Sequence, residues 1–162
     1  MLNIVPMSEE HIDSICEIEN ESFKDDPWSR AAFLELLEND YAVCLVAVEQ
    51  TPVGVADTPF QKGAVAGFLI AYHIIDEIQI LNIAVKKSMR NKKIATKLFD
   101  VIFEYAKAEN INEFTLEVRQ SNIGAIGLYK KLGFEIDGVR RNYYAKPRED
   151  AVLMSLRVAE KN

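Results

Sequence analysis

The chain reads as a mixed α/β fold of the α+β kind: a central, mostly antiparallel sheet with one parallel strand pair, flanked by helices. Three observations point there. Val65 to Ile74 and Glu77 to Val85 are β-rich runs separated only by Ile75-Asp76, which predicts a tight antiparallel hairpin. Ile94, Leu98, Val101, Ile102 and Tyr105 recur at helical spacing. That helix lies between the Glu77–Val85 run and a further strand at Glu113 to Val118. A helical crossover between two strands of one sheet makes them parallel. The 162 residues, 49% hydrophobic and 27% charged, suit one domain spanning 1–162 with a core that needs no disulfide.

The elements follow in order. Asn3 to Pro6 is a short first strand. Ser8 is a good N-cap for a helix to about Phe23, with Ile12, Ile15, Ile18 and Phe23 near one face. Asp25-Asp26-Pro27 breaks it, and Ser29 caps a second helix with Phe33, Leu34, Leu36 and Leu37 turned inward. Tyr41 to Glu49 reads as a buried strand. Thr51 to Lys62 carries two prolines and Gly54, so it is a loop, long for a hairpin connection; a flap over a site and an inert insertion are both open readings. After the central hairpin come a polar turn at Lys86 to Lys93 and the crossover helix to about Glu109. Then follow the Glu113–Val118 strand, a helix from Ile123 to Lys131, a strand from Phe134 to Arg141, and a closing strand from Ala151 to Leu156.

Charge and cysteine usage exclude several classes. A net charge of -6 with no basic stripe argues against a direct nucleic-acid binder and suits a basic partner, such as the tail of a cationic protein. Cys16 and Cys44 lack CxxC spacing and read as buried free thiols in a reducing compartment; His11 and His73 are isolated, so no metal is expected. The start, MLNIVPMSEEH, lacks the pattern of a signal peptide, and no stretch approaches a membrane span. A cytoplasmic protein, monomeric or weakly dimeric, is expected.

Two segments carry chemistry. Asn82 to Leu98 is a strand, a polar turn and a helix start, where free backbone N–H groups and the helix dipole favour an anion. Leu116 to Phe134, LEVRQSNIGAIGLYKKLGF, delivers a carboxylate, Glu117, on the strand face opposite Leu116 and Val118. A phenol, Tyr129, follows twelve residues later. An acceptor and a donor of protons suit a reaction that needs both transfers, as acyl transfer to an amine does. Asn122 suits a helix cap or a ligand amide. Gly124 and Gly127 each cost a helix about 1 kcal/mol against alanine, which close approach of a backbone or a ligand would explain. Tyr129 also fits a packed helix–sheet boundary.

LEVRxSNxxAIxLYxxLGF, with NIAV upstream and RRNYY and REDAxxM downstream, resembles the GNAT acetyltransferases, and within them the RimI-type enzymes that acetylate the N-terminal alanine of a small-subunit ribosomal protein. The resemblance is densest from Asp76 to Met154 and reaches back to Pro27–Ser29. It implies the GNAT acyl-CoA N-acyltransferase fold, with its parallel strand pair splayed, and acetyl-CoA as co-substrate. Glu117 would be general base and Tyr129 general acid. The backbone of Ile83, Ala84 and Val85 would align the pantetheine arm. The turn Asn91, Lys92, Lys93, Ile94, Ala95 and Thr96 would hold the pyrophosphate, with Asn122 also on the cofactor. Trp28, Tyr143 and Tyr144 would line the acceptor peptide groove, and Glu77 would be an acceptor-side residue and reserve base. Lys93 departs from the pattern, standing where the family carries the first glycine of its phosphate turn; a lysine there can present its N–H if φ stays negative. Transfer to a lysine or a small-molecule amine, and a silent CoA-binding module, are the alternatives.

Overall fold

The computed structural model describes residues 1–50 and 63–159; the 51–62 segment lies outside them, and so does the flap reading. Seven strands form one sheet in the order β1-β2-β3-β4-β5-β7-β6. They are β1 (Leu2–Pro6), β2 (Ala42–Glu49), β3 (Val65–Ile74), β4 (Glu77–Val85), β5 (Glu113–Arg119), β6 (Glu135–Ala145) and β7 (Arg148–Arg157). All neighbours pair antiparallel except β4 and β5. The helices are α1 (Ile12–Ser22), α2 (Arg30–Leu37), α3 (Ile94–Ala108) and α4 (Ile123–Lys131). The parallel pair is the one expected, and β3, β4 and α4 have the bounds read from the sequence.

The sheet separates two hydrophobic layers. On one face α1 and α2 bury Ile12, Ile15, Ile18 and Phe33 against Val46, Phe68 and Ile70. On the other, α3 and α4 bury Leu98, Phe99, Ile102 and Tyr129 against Leu69, Ile78, Phe114, Leu116 and Met154. Each fully buried side chain of this size contributes roughly 1.5–3 kcal/mol over leaving it in water. Gly67 on β3 is required by packing: a Cβ there would lie 2.8 Å from the Ala84 carbonyl oxygen of β4.

Several local expectations shift. The first helix opens with a 3₁₀ turn at Glu9–His11 before α1, and His11 accepts the Ser8 N–H at Nδ1 (3.1 Å). Ser29 caps α2 as expected, its hydroxyl accepting the Ala32 N–H at 3.1 Å. Ser29→Ala should therefore cost about 1 kcal/mol in urea unfolding. Of the residues turned inward on α2, Phe33 and Leu36 are buried, whereas Leu37 is 36% exposed. An eight-residue helix presents only one narrow stripe to the sheet, and Leu37 falls beside it. Tyr41 lies outside β2 and is exposed. Cys16 and Cys44 are free but half-buried; burial raises both thiols, Cys44 to about 11.

The largest difference is the β6–β7 hairpin. It extends through Ala145 and back from Arg148, past the expected ends at Arg141 and Ala151, around the cis Lys146–Pro147 bond. Asn142, at φ 53°, gives β6 an irregular register near Arg140 and donates its N–H to Asp150 Oδ1 at 2.7 Å. Polar residues in this hairpin hide the strand pattern, and backbone pairing maintains it.

Candidate active site

The site begins where the parallel ladder ends. β4 and β5 pair only from Glu77 with Glu113 to Ile80 with Leu116. Beyond that rung the strands part. The cause is local: Ile70 faces Asn82 while Ala71 faces Ile80, so Leu81 is an extra residue, a β-bulge in β4. The bulge also exchanges faces. Ile78 and Ile80 pack in the α3/α4 layer, yet Asn82 is bonded to α1 and Ala84 packs in the α1/α2 layer. After the bulge, alternate residues of Ile83, Ala84 and Val85 turn backbone groups away from β3 and into the gap.

Glu117 stands on β5 just beyond the last rung. Leu116 and Val118 belong to the α3/α4 layer, so Glu117 points to the opposite face, as the alternation required. Arg140 Nη1 lies 3.3 Å from Glu117 Oε1, and the Arg140 guanidinium sits 5.2 Å from the Tyr143 ring centroid. Tyr143 is hydrogen-bonded to Glu117, the first cause raising its phenol. Tyr144 meets Tyr143 edge to face at 5.0 Å, with the Arg119 guanidinium 4.1 Å over its ring. Burial, with Glu117 nearby, pushes the Tyr144 phenol up to about 12. Arg119 is held in turn by Glu149 (3.3 Å) and the carbonyls of Lys146 and Pro147. The structure therefore gathers Glu117, Tyr143 and Tyr144. It adds Arg119, itself on β5, with Arg140 and Glu149, which the β6–β7 hairpin brings beside it; the sequence reading assigned none of the three a role.

Tyr129 is 6% exposed and lies in the α3/α4 layer, its ring 5.9 Å from those of both Phe99 and Phe134. Burial raises its phenol well above the ordinary value, so it holds its proton throughout the neutral range. The packed-boundary reading and the donor reading are thus both compatible with one residue. Glu117 and Tyr129 occupy opposite faces of the sheet, with the parted strands between.

The turn after β4 corrects one expectation. Lys93 does not keep φ negative: it sits at φ 60°, ψ 23°, in the left-handed region that glycine adopts freely. Asn91 has φ 62°. Successive N–H groups around such residues form a concavity that favours anions, here at the N-terminus of α3. The stretch is cationic within an acidic chain, carrying Lys86, Lys87, Arg90, Lys92, Lys93 and Lys97. Arg90 is spoken for, bonding the Val85 carbonyl (3.1 Å) and the Ser22 hydroxyl (3.2 Å). A lysine held left-handed stores about 1 kcal/mol of strain. Lys93→Gly should raise stability by about 0.5–1 kcal/mol in urea unfolding, because the loop geometry already fits glycine.

The remaining candidates are dispersed. Asn122 caps α4, its Oδ1 accepting the Ala125 N–H at 3.2 Å. A Cβ on Gly124 or Gly127 would meet no atom within 4 Å, so no neighbouring backbone among the described residues explains these glycines. Glu77 lies at the closed end of the ladder, accepting a 2.5 Å bond from the Thr115 hydroxyl. It is four rungs from Glu117, about 13 Å along the strands. Trp28 packs on Phe33 (5.6 Å) and, with Tyr72, Glu35 and Asn39, lines an open cleft of about 300 Å³. Its backbone N–H is accepted by Glu19, a buried acid that sequence reading passed over. The signal was present: Glu19 is four residues after Ile15 and seven after Ile12, on the apolar stripe of α1.

Residues 12–134 match the acetyltransferase (GNAT) family. Over 152 residues the chain is 38% identical to a Bacillus subtilis (strain 168) protein provisionally named a ribosomal protein bS18-alanine N-acetyltransferase, covering 93% of this chain and 92% of the relative. The crystal structure of the ribosomal-protein-S18-alanine N-acetyltransferase from Escherichia coli matches with a TM-score of 0.81 at 27% identity, over 100% of this chain and 97% of that one. Ard1 from Thermoplasma volcanium matches with a TM-score of 0.82 at 28% identity, over 98% and 99%. The family match runs from the first residue of α1 to the residue before β6 and takes in both walls of the gap. On that ground the chain belongs to the acetyltransferase (GNAT) family, in its RimI-type branch.

Proposed function

We propose that this protein transfers the acetyl group of acetyl-CoA to the N-terminal α-amino group of a protein, the alanine of ribosomal protein bS18 being the acceptor, in the cytoplasm. The observation that carries the reading is the parted β4–β5 pair, with a carboxylate on one face and a protonated phenol on the other. Acetyl-CoA supplies a thioester. The gap suits its arm, because the backbone of Ile83–Val85 lies beyond the last rung to β5, with only the Val85 carbonyl taken by the Arg90 side chain; the cationic turn at Asn91–Thr96 suits its phosphates.

Glu117 accepts the proton of the incoming amine, directly or through a water. That step matters because an α-amino group, with a pKa of about 8, is largely protonated at neutral pH. The amine nitrogen then bonds to the thioester carbon. Backbone N–H groups of β4 beside the gap stabilise the developing oxyanion. As the carbon–sulfur bond breaks, the phenol of Tyr129 gives its proton to the departing thiolate, and the second proton leaving the amine nitrogen, passed through solvent, restores the phenol. Holding the two substrates on either side of one gap contributes on the scale of the acid and base together. Trp28, Tyr143 and Tyr144 border the acceptor side, and the acidic surface favours a basic partner.

The test is incubation with acetyl-CoA and a peptide bearing the bS18 N-terminus, against the same peptide with a blocked N-terminus, read by mass spectrometry. One acetyl group on the α-amine of the free peptide alone is expected. Transfer only to lysine side chains would overturn the assignment.

A further inference from the structure

Among the described residues two polar side chains are buried, Glu19 at 1% and Asn82 at 8% exposure, and they are bonded to each other. Glu19 Oε2 accepts from Asn82 Nδ2 at 2.9 Å, and Oε1 accepts the Trp28 N–H at 2.9 Å. Burying an acid is costly, and an apolar pair of similar volume often serves stability as well or better. Folding alone therefore does not account for this acid.

Its position does. Asn82 is the first residue after the β4 bulge and leads into Ile83–Val85, the cofactor wall of the gap. Trp28 sits between the break at Pro27 and the α2 cap at Ser29, in the segment that the acyl-transfer reading gives to the acceptor. The end of α1 makes two more links the same way: Glu21 Oε2 accepts the Lys87 N–H at 2.8 Å, and the Ser22 hydroxyl accepts from Arg90 at 3.2 Å. Those two are exposed, whereas Glu19 is buried and joins the Trp28 segment to β4 through one carboxylate.

Building on the acyl-transfer reading above, we infer that Glu19 is a positioning residue that fixes the Trp28 segment against the cofactor strand and so sets the acceptor groove. Glu19 holds no free oxygen for a reacting atom; both are occupied, one by the Trp28 backbone N–H and one by Asn82 on β4. Glutamine can keep the link, its carbonyl accepting from Trp28 while its amide donates to a flipped Asn82. Methionine keeps the packing and breaks both bonds.

The chain has one tryptophan, so its emission reports on Trp28 alone. Glu19→Met should shift that emission to the red and raise acrylamide quenching about twofold or more. It should raise the acceptor-peptide KM about tenfold, with kcat and acetyl-CoA affinity held within about twofold, the pattern of lost uniform binding. Glu19→Gln should stay near wild type in every readout. Unchanged quenching and KM in Glu19→Met would overturn the inference, as would kcat, KM and melting temperature failing together in both variants. If Glu19→Met does not fold, Asn82→Ala cuts one of the two bonds and is judged by the same quenching and KM criteria. A wild-type protein inactive on N-terminal peptides sinks the acceptor reading instead, and Trp28 quenching then decides the role of Glu19 by itself.

Discussion

Glu117→Gln lowers kcat at neutral pH by about 10²-fold or more, as expected when a general base is lost. The amide is nearly isosteric and still offers Arg140 an oxygen at the position of the 3.3 Å contact, so folding and acetyl-CoA affinity stay close to wild type. The pH dependence gives the effect its signature. Below the amine pKa of about 8 the acceptor must lose a proton and the variant is slow; above it the free amine needs no base and the deficit narrows. Initial rates from about pH 6.5 to 9.5 with saturating acetyl-CoA measure this. Near-normal activity at pH 7 would leave deprotonation to bulk water, since Glu77 lies at the closed end of the ladder.

Tyr129→Phe is the complementary experiment, with kcat expected to fall about 10²-fold while the peptide KM barely moves. The ring contacts with Phe99 and Phe134 survive the change, so the melting temperature stays within a few degrees. What is lost is a proton donor that burial keeps protonated across the working range. A large fall in stability with kcat preserved would reduce Tyr129 to its packing role.

The frame of this molecule is written in local chemistry. β3 and β4 are legible because ten and nine β-rich residues flank a two-residue turn, and α4 because Asn122 caps it and Gly133 ends it at φ 103°. Glu117 is legible from alternation alone. What escaped depends on contacts distant in sequence. Arg140 and Tyr143 reach Glu117 only because β6 folds back through β7 beside β5, and Tyr143 only because β6 continues past Arg141. Glu19 stands on the apolar stripe of α1, which separates it from Glu17 and Glu21, but what it bonds is decided by a partner 63 residues on. Lys93 is the opposite case. Its identity argues against a positive φ, and the tertiary turn imposes one, so local preference yields to the closure of β4 onto α3.

The bulge at Leu81 has a kinetic consequence. Because the extra residue turns β4 aside within the folded chain, the ladder stops at Ile80 without any rung having to break. An extended molecule entering between the strands displaces solvent from backbone groups rather than opening a paired sheet. Its association should show the modest activation enthalpy of diffusion and orientation, and none of the steep temperature dependence of local unfolding. The gap is a standing entrance, and the rate of entry is limited by arrival.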